Sequence, residues 1–300
     1  MTLTQLQVFL AVVEAGSFTA AAEASYMTQS AVSHAIAGLE AELGVALLER
    51  TRAGAVLTEA GVRIVPHARR VRDHMECIRQ EAAATVGLRT GKLRVGSLPS
   101  VAARLLPGII GAFRRRYPGI GLVLLEGTDQ EVHAWIASGA VDIGVVTLPT
   151  SDVDAVPLTI DDMRAVVPAA HPLANRPAVR PAHLAAEPFV LSKGGCEPLI
   201  RSIFQATGAT PRVHYEANDM AAVLALVREG LGVTIVPALA LPTSPEGVHV
   251  MPLDPPVRRH LALATRTLAE VSPAAVAFIQ HACASAMAKE RDGDTSIVPS

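Results

Sequence analysis

The pattern of apolar residues changes once along this chain, near residue 90. Before that point apolar residues recur every three or four positions, which is the period of an α-helix. After it, short runs that are typical of strands alternate with helical stretches. This alternation predicts a mostly parallel sheet that helices cover on both faces. The chain is therefore expected to fold as two or three units of different kinds.

Composition excludes several classes of protein. Half of the 300 residues are hydrophobic and 18% are charged, which is typical of a compact globular protein. The formal net charge of −2 predicts no general attraction to nucleic acid or membranes. With 3% aromatic residues, the chain has few stacking platforms for single-stranded nucleic acid. The amino end lacks the features of a signal peptide and no apolar stretch reaches membrane-spanning length, so we expect a cytoplasmic protein with no membrane partner.

The first part of the chain predicts three helices followed by two short strands. The first helix covers residues 3–15, and Ser17 stands at the N-cap position of a short second helix. Thr28 caps a third helix, whose buried line is Val32, Ile36, Leu39 and Leu43. Residues 47–57 then read as two strands that turn at residues 53–54.

The opposite face of the third helix carries small polar groups, namely Gln29, Ser30, Ser33 and His34. A lone helix of this kind is more often a solvated surface than a binding surface. Here the two strands that follow form a wing, which would bring Arg50 and Arg52 towards a phosphate backbone. The combination favours a helix-turn-helix that enters the major groove of double-stranded DNA, where Gln29 could read adenine with two hydrogen bonds.

Residues 17–61, SFTAAAEASYMTQSAVSHAIAGLEAELGVALLERTRAGAVLTEAG, resemble the winged helix-turn-helix of LysR-type transcriptional regulators. The sequence departs from the family pattern at Ser25, Ser30, Leu48 and His34, where leucine, proline, phenylalanine and arginine are usual. The departure at His34 weakens the case for base reading there. The resemblance and the pattern together predict a DNA-binding set of Ser17, Thr19, Thr28, Gln29, Ser30, Ser33, His34, Arg50 and Arg52.

A single N-terminal domain is predicted to bind DNA weakly. Residues 1–58 contain two arginines against five glutamates, and phosphate neutralisation supplies most non-specific affinity. Residues 59–89 could bring two such domains together, because apolar residues recur there in heptads and form a narrow seam. In LysR-type regulators the equivalent helix pairs two protomers. The resemblance therefore implies a homodimer that presents wings to two half-sites, its association into a homotetramer, and RNA polymerase as a further partner. The seam residues are Ile64, Ala68, Val71, Met75, Ile78, Ala82 and Thr85.

Residues 90–300 resemble the effector-binding domain of the same family in the stretches KLRVGSLPS, IASGAVDIGVV and VREGLGVTIVP. That domain has a periplasmic-binding-protein-like α/β fold, in which two lobes surround a cleft. The resemblance places lobe I at about residues 91–160 and 267–290 and lobe II at about 161–266, with hinges near Ile160 and Thr265. The overall prediction is a multidomain α/β chain with a DNA-binding domain at 1–58, a linker helix at 59–89 and an effector domain at 90–300. Within lobe I, one helix is expected over residues 101–117.

The effector site is predicted at the carboxyl ends of strands, where helix N-termini can hold an anion. Each residue at such a position could instead be a helix cap or a turn residue, and their shared placement is what favours a site. Hydroxyl groups at these positions hint at a small organic anion as the effector. The candidate residues are Ser97, Ser100, Thr128 and Thr147 in lobe I, and Ser192, Cys196, Asn218 and Pro237 in lobe II.

Two alternatives remain open, a cytoplasmic metabolite-binding protein and a cysteine-based redox sensor. Peroxide-sensing LysR-type regulators carry a reactive cysteine in a place comparable to Cys196, but they pair it with a second cysteine shortly afterwards. Here the next cysteine is Cys283, so a disulfide switch is not predicted. An enzyme is not predicted, since GxSxG, HExxH, Walker and dinucleotide-binding motifs are absent, and we expect neither a cofactor nor a metal site.

Overall fold

The computed structural model describes residues 1–51, 54–85 and 90–291. The chain divides into two compact units, one formed by residues 1–85 with 137–140 and the other by residues 86–136 with 141–300. Arg52, the predicted wing turn at residue 53 and the polar carboxyl-terminal tail lie outside the described residues.

The N-terminal unit contains the three predicted helices, and local caps explain where they begin and end. Thr2 and Gln5 form a capping box at the first helix, and the hydroxyl of Thr28 accepts a hydrogen bond from the N–H of Ala31 at the third. Gly16 and Gly44 end these helices in the left-handed conformation. The helices are α1 Leu3–Ala15, α2 Phe18–Ala24 and α3 Gln29–Leu43.

The wing consists of the antiparallel strands β1 Leu48–Thr51 and β2 Gly54–Leu57. One carboxylate oxygen of Glu40 in α3 accepts hydrogen bonds from the N–H groups of Leu47 and Leu48, at 2.7 and 3.1 Å. On the other strand, the N–H of Ala55 donates to the carbonyl of Gly16 at 2.8 Å. These contacts fix the wing against α3 and against the turn between α1 and α2.

The long helix α4 spans Glu59–Thr85 and continues through Pro66. Only the first part of its predicted seam is buried within its own unit, where Ala68 is buried in the N-terminal core and Ile64 packs against it. Further along, 37% of Val71 and 69% of Ile78 are exposed. The predicted seam is therefore buried near the start of α4 and exposed to solvent further along the helix.

The second unit alternates strands with helices over much of its length, but the expected single helix over residues 101–117 is wrong. Two helices, α5 and α6, meet at Leu105, because Pro107 lacks an N–H and its ring clashes with the carbonyl of Ala103. The helices α5–α11 span Pro99–Arg104, Leu106–Arg116, Asp129–Ser138, Pro181–Ala185, Glu197–Ala206, Met220–Arg228 and Pro273–Arg291. The strands β3–β11 span Gly91–Ser97, Ile120–Glu126, Ile143–Leu148, Asp154–Pro168, Pro188–Ser192, Arg212–Ala217, Thr234–Pro237, Val248–Pro252 and Arg258–Thr265.

The prediction of a mostly parallel sheet is also wrong. The large sheet has the order β10-β6-β11-β5-β3-β4, with β9 also paired to β6. Strand β3 is parallel to β4 and β5, and β7 is parallel to β8, whereas β6, β9, β10 and β11 form antiparallel pairs. The sequence reading missed β10 and β11, which follow one another with no helix between them. Both strands pair antiparallel with the long strand β6, β10 along residues 164–168 and β11 along residues 154–162.

Strands β6 and β11 connect two lobes, each with its own core. Strand β6 pairs with β11 up to Asp162 and then with β9 and β10 from Met163 onwards, so one crossing lies close to the predicted hinge at Ile160. The predicted hinge at Thr265 is wrong, because β11 already pairs with β5 of the first lobe from His260. Residues 260–264 therefore belong with lobe I rather than lobe II, and residues 258–259 lie at the crossing itself.

Candidate DNA-binding surface and effector cleft

The exposed face of α3 carries the polar residues that the sequence predicted. Thr28, Gln29, Ser30 and His34 are exposed, and Ser33 is half-buried. The hydroxyls of Thr28 and Ser30 lie 3.0 Å apart, so the first turn of α3 has its polar groups ordered before any ligand arrives. This small, polar helix start has the size and chemistry that the major groove admits.

Ser33 joins this face to the wing. Its hydroxyl oxygen accepts hydrogen bonds from the side-chain amide of Gln29 at 3.3 Å and from a guanidinium nitrogen of Arg50 at 2.7 Å. The guanidinium carbon of Arg50 also lies 4.1 Å from the ring centroid of Phe18, which is a cation–π contact. Sequence reasoning predicted that Arg50 would face phosphate but missed both Phe18 and the link to Ser33.

The remaining predicted DNA-binding residues differ in their surroundings. Ser17 occupies the N-cap position of α2 but makes no side-chain capping hydrogen bond, and Thr19 is exposed. Several of the glutamates that were predicted to repel DNA form hydrogen bonds or ion pairs within the N-terminal unit. Glu40 accepts from the wing, Glu42 pairs with the amino terminus, and Glu14 pairs with Arg72 at 2.7 Å. These pairs reduce the repulsion that the sequence composition predicted.

In the second unit, a cavity of about 840 Å³ opens where the two lobes face each other. Of the predicted effector residues, Thr128 and Thr147 line this cavity. Lobe II contributes the segment around Lys193 and the start of α9. The lining consists of Thr128, Asp129, Gln130, His133, Thr147, Pro149, Thr150, Ser151, Asp152, Lys193, Gly195, Glu197 and Pro198.

Acidic side chains occupy the helix start on the lobe I side of the cavity. The N–H and hydroxyl of Thr128 donate to Glu131 at 2.7 and 2.8 Å, and these hydrogen bonds lower the pKa of Glu131. Asp129 accepts a hydrogen bond from the N–H of Thr147 at 2.7 Å, and its other oxygen lies 3.6 Å from His133. The first turn of α7 thus already has carboxylates beside its free N–H groups.

An acidic side chain also stands at the helix start on the lobe II side of the cavity. Helix α9 begins with Glu197 and Pro198, so its first turn carries its own carboxylate and has one N–H fewer. Lys193 is the one lysine or arginine among the cavity-lining residues, and it pairs with Glu216 at 3.2 Å and with Glu197 at 3.8 Å. Two helix N-termini therefore border this cavity, and each has acidic side chains in its first turn.

The other predicted effector residues do not line the cavity. Ser97, Ser100, Ser192 and Cys196 are buried. Asn218 is exposed, and Asp219 rather than Asn218 caps α10. Pro237 is buried in β9, opposite Met163 of β6. Strand-end placement alone did not distinguish side chains that reach the cavity from those that pack behind it.

A buried ion pair on the crossing strands was missed by the sequence reading. Arg259 of β11 and Asp161 of β6 are 6% and 3% exposed, and their closest nitrogen and oxygen atoms are 2.6 Å apart. Arg259 also donates to the hydroxyl of Ser100 in α5, and Asp161 accepts from the N–H of Leu239. Burial raises the pKa of Asp161, while Arg259 and Leu239 lower it.

Cys196 lies close to this pair. Burial raises the pKa of the Cys196 thiol, whereas the positive charge of Arg259 and the hydroxyl of Ser192 lower it and the negative charge of Asp161 raises it further. The net direction is upward. A thiol with a raised pKa is mostly protonated at neutral pH and reacts slowly.

Two further observations concern the residues that the structure describes. Among them, no group of three or more His, Cys, Asp or Glu side chains is arranged to hold a metal ion. No single described helix is long and apolar enough to cross a membrane. Helices α1 and α2 reach that criterion only as a pair, which is bent by 118°.

An N-terminal winged helix-turn-helix followed by a two-lobed unit with a cleft defines a class of ligand-responsive regulator. Comparisons with known proteins agree. Residues 3–62 match the family described as bacterial regulatory helix-turn-helix protein, lysR family, and residues 87–286 match the LysR substrate binding domain. The chain belongs to the LysR family of transcriptional regulators. It is a DNA-binding protein with an effector-binding domain and not an enzyme.

Individual relatives cover almost the whole chain. The uncharacterized HTH-type transcriptional regulator YvbU of Bacillus subtilis is 39% identical over 285 residues, covering 94% of this chain and 98% of YvbU. The hydrogen peroxide-inducible genes activator of Pectobacterium carotovorum is 32% identical, covering 89% of this chain and 90% of its own. A variant of full-length OxyR from Pseudomonas aeruginosa superposes with a TM-score of 0.77 at 26% identity, covering 94% of this chain and 98% of that structure.

The buried ion pair leads to a stability prediction. Asp161→Asn leaves the charge of Arg259 buried without a counter-ion, so we expect the free energy of unfolding of the second unit to fall by about 3–5 kcal/mol. The matched control is Asp162→Asn, because Asp162 is partly exposed and pairs with Arg164 and Arg258. Its cost should be about 0–1 kcal/mol. Chemical denaturation measures both, and equal losses for the two variants would contradict the assignment.

Proposed function

We propose that the chain works as a homodimer that reads a two-part DNA site with α3 and phosphates with the wing. The observation that carries this proposal is the Gln29–Ser33–Arg50 network, which joins a base-reading amide to a phosphate-binding guanidinium. The DNA-binding set remains the one predicted from the sequence, with Phe18 added as the residue that supports Arg50. Since the protein acts on DNA, the cytoplasm is its proposed location.

The dimer is proposed to form through α4. Val71 and Ile78 are apolar, exposed and seven residues apart, which is the spacing of one heptad position. Pairing two protomers would double the number of phosphate contacts, and it would match two half-sites on DNA. Association into a homotetramer and contact with RNA polymerase stay predictions from the family resemblance.

The proposed effector is a small organic molecule that binds in the cavity between the lobes. Lys193 can pair with one carboxylate of such a molecule, while Asp129 and Asp152 can accept hydrogen bonds from an amino or hydroxyl group. This composition refines the predicted small organic anion. It favours a carboxylate that also carries donor groups over a multiply charged anion, which would meet three acidic side chains.

The effector site can be tested by filling the cavity. We expect a thermal-shift screen of small carboxylates, amino acids and hydroxy acids to give a hit, and Thr147→Ile to weaken its binding about tenfold or more, because added methyl groups overpack the lining. The matched control is Thr159→Ile, a half-buried threonine of β6 outside the lining. Isothermal titration calorimetry measures both variants. Equal affinity in the two variants would place the ligand elsewhere.

DNA reading can be tested with two substitutions that should act differently. Gln29→Ala should cost about 1–3 kcal/mol of discrimination at one base pair, because it removes a base-edge contact. Arg50→Met should weaken binding to all duplexes alike and lower the salt slope by about 1 per protomer. Fluorescence anisotropy on the duplex footprinted upstream of the gene, with base-pair variants and a salt series, measures both effects.

Each outcome has a clear meaning. Unchanged sequence preference in Gln29→Ala would remove that residue from the reading set. An exposed arginine of the other unit, changed as Arg212→Met, should leave the salt slope unaltered. A wild-type protein that binds the effector but prefers no duplex over another would favour the metabolite-binding alternative.

A redox sensor is the second candidate, because Cys196 lies near Arg259 and a relative is named a hydrogen peroxide-inducible genes activator. The raised pKa of Cys196 argues for the first candidate. We therefore expect iodoacetamide at pH 7 to label Cys196 more slowly than the less buried Cys283, and the rate to rise steeply above pH 9. Peptide mass spectrometry measures both rates. Faster labelling of Cys196, with sulfenic acid after peroxide treatment, would favour the sensor.

A further inference from the structure

Tyr26 has an unusual backbone conformation and an unusual exposure. It lies between α2 and α3, and its φ angle is +54°, the one positive value among non-glycine residues in the described part of the chain. The residue is 99% exposed to solvent. Bulky side chains rarely adopt this left-handed conformation, because the Cβ atom approaches the following carbonyl oxygen.

The turn itself imposes the conformation. The N–H of Tyr26 donates to the carbonyl of Glu23 at 3.2 Å, and the N–H of Met27 donates to the carbonyl of Ala22 at 2.9 Å, which together close the carboxyl end of α2. At the corresponding ends of α1 and α3 the left-handed residue is glycine, Gly16 or Gly44. Glycine or asparagine would fit at position 26 with less strain.

Packing within the domain does not explain the tyrosine, since a ring that is wholly in solvent buries no apolar surface. Strained residues that persist without a packing role tend to occur at functional sites. Tyr26 stands two residues before Thr28, the cap of α3, and three before Gln29. It therefore lies at the end of α3 that carries the proposed reading residues.

Charge favours DNA as the molecule that Tyr26 contacts. Arg50 and Arg52 are the two lysine or arginine residues in positions 1–58, so phosphate contacts in this domain depend largely on neutral donors. A tyrosine hydroxyl is such a donor, and Tyr is among the side chains that bind phosphate oxygens in protein–DNA complexes. The proposed dimer seam on α4 involves other residues, at positions 71 and 78.

We propose that Tyr26 is a further DNA-contacting residue. Its hydroxyl donates a hydrogen bond to a phosphate oxygen at the edge of the groove that α3 enters, and its ring covers the neighbouring sugar. This inference rests on the proposed docking of α3. It accounts for the strained backbone as a cost to the free protein that the bound complex offsets.

Three substitutions separate the DNA contact from the strain. Tyr26→Phe keeps the strain and removes the hydroxyl, so binding should weaken about threefold to tenfold with no change in the midpoint of thermal unfolding. Tyr26→Asn and Tyr26→Gly relieve the strain and remove the ring, so binding should weaken at least as much while the unfolding midpoint of the N-terminal unit rises. The salt slope should not change in any of them, because the phenol is neutral.

The measurements use the full-length protein with the footprinted duplex and a random duplex of equal length. Tyr215→Phe, on a partly exposed tyrosine of β8, is the control and should change neither binding nor stability. Wild-type affinity in both Tyr26→Phe and Tyr26→Asn would overturn the inference, and so would a lower unfolding midpoint in Tyr26→Asn. If Gln29→Ala still changes sequence preference in that case, the proposed function stands without Tyr26. If the wild-type protein binds no duplex, both proposals fail.

Discussion

The ion pair between Asp161 and Arg259 is the interaction on which the two-lobed unit depends. Both charges are removed from water, and such a pair is tolerable only when further hydrogen bonds satisfy its remaining atoms. Ser100 of lobe I and the N–H of Leu239 complete it. Because the pair lies on the two crossing strands, it holds the lobes together on the side where β6 and β11 pass between them.

The features that the sequence predicted well are local. Caps such as Thr28 and chain reversals such as Gly16 act within a few residues, and the helices that they delimit occur at the predicted positions. The break between α5 and α6 was missed because the apolar pattern continues through Leu105, although Pro107 was a visible signal. Strands β10 and β11 were missed because their pairing is with distant segments.

In the candidate sites too, the sequence predicted local features and missed contacts between distant residues. Exposure of Gln29 and placement of Thr128 and Thr147 at strand ends followed from the local pattern, and the structure agrees. The contacts that hold the charged side chains in place join residues that are far apart in the sequence. Arg50 meets Ser33 across 17 positions, and Arg259 meets Asp161 across 98. Two arginines at the start of β11, before its apolar run, were the available sign of a buried pair, but nothing in the pattern identified the partner.

The uneven burial of α4 limits the length of this helix through which two chains can associate. Ile64 and Ala68 are already used inside the N-terminal core, so the part of the helix that a second copy could share begins near Val71. From there to Thr85 the helix is about 22 Å long, roughly two heptads. So short a coiled coil gives little binding energy by itself. The proposed dimer would then need further contacts beyond the helix, and its assembly state would depend on the whole chain.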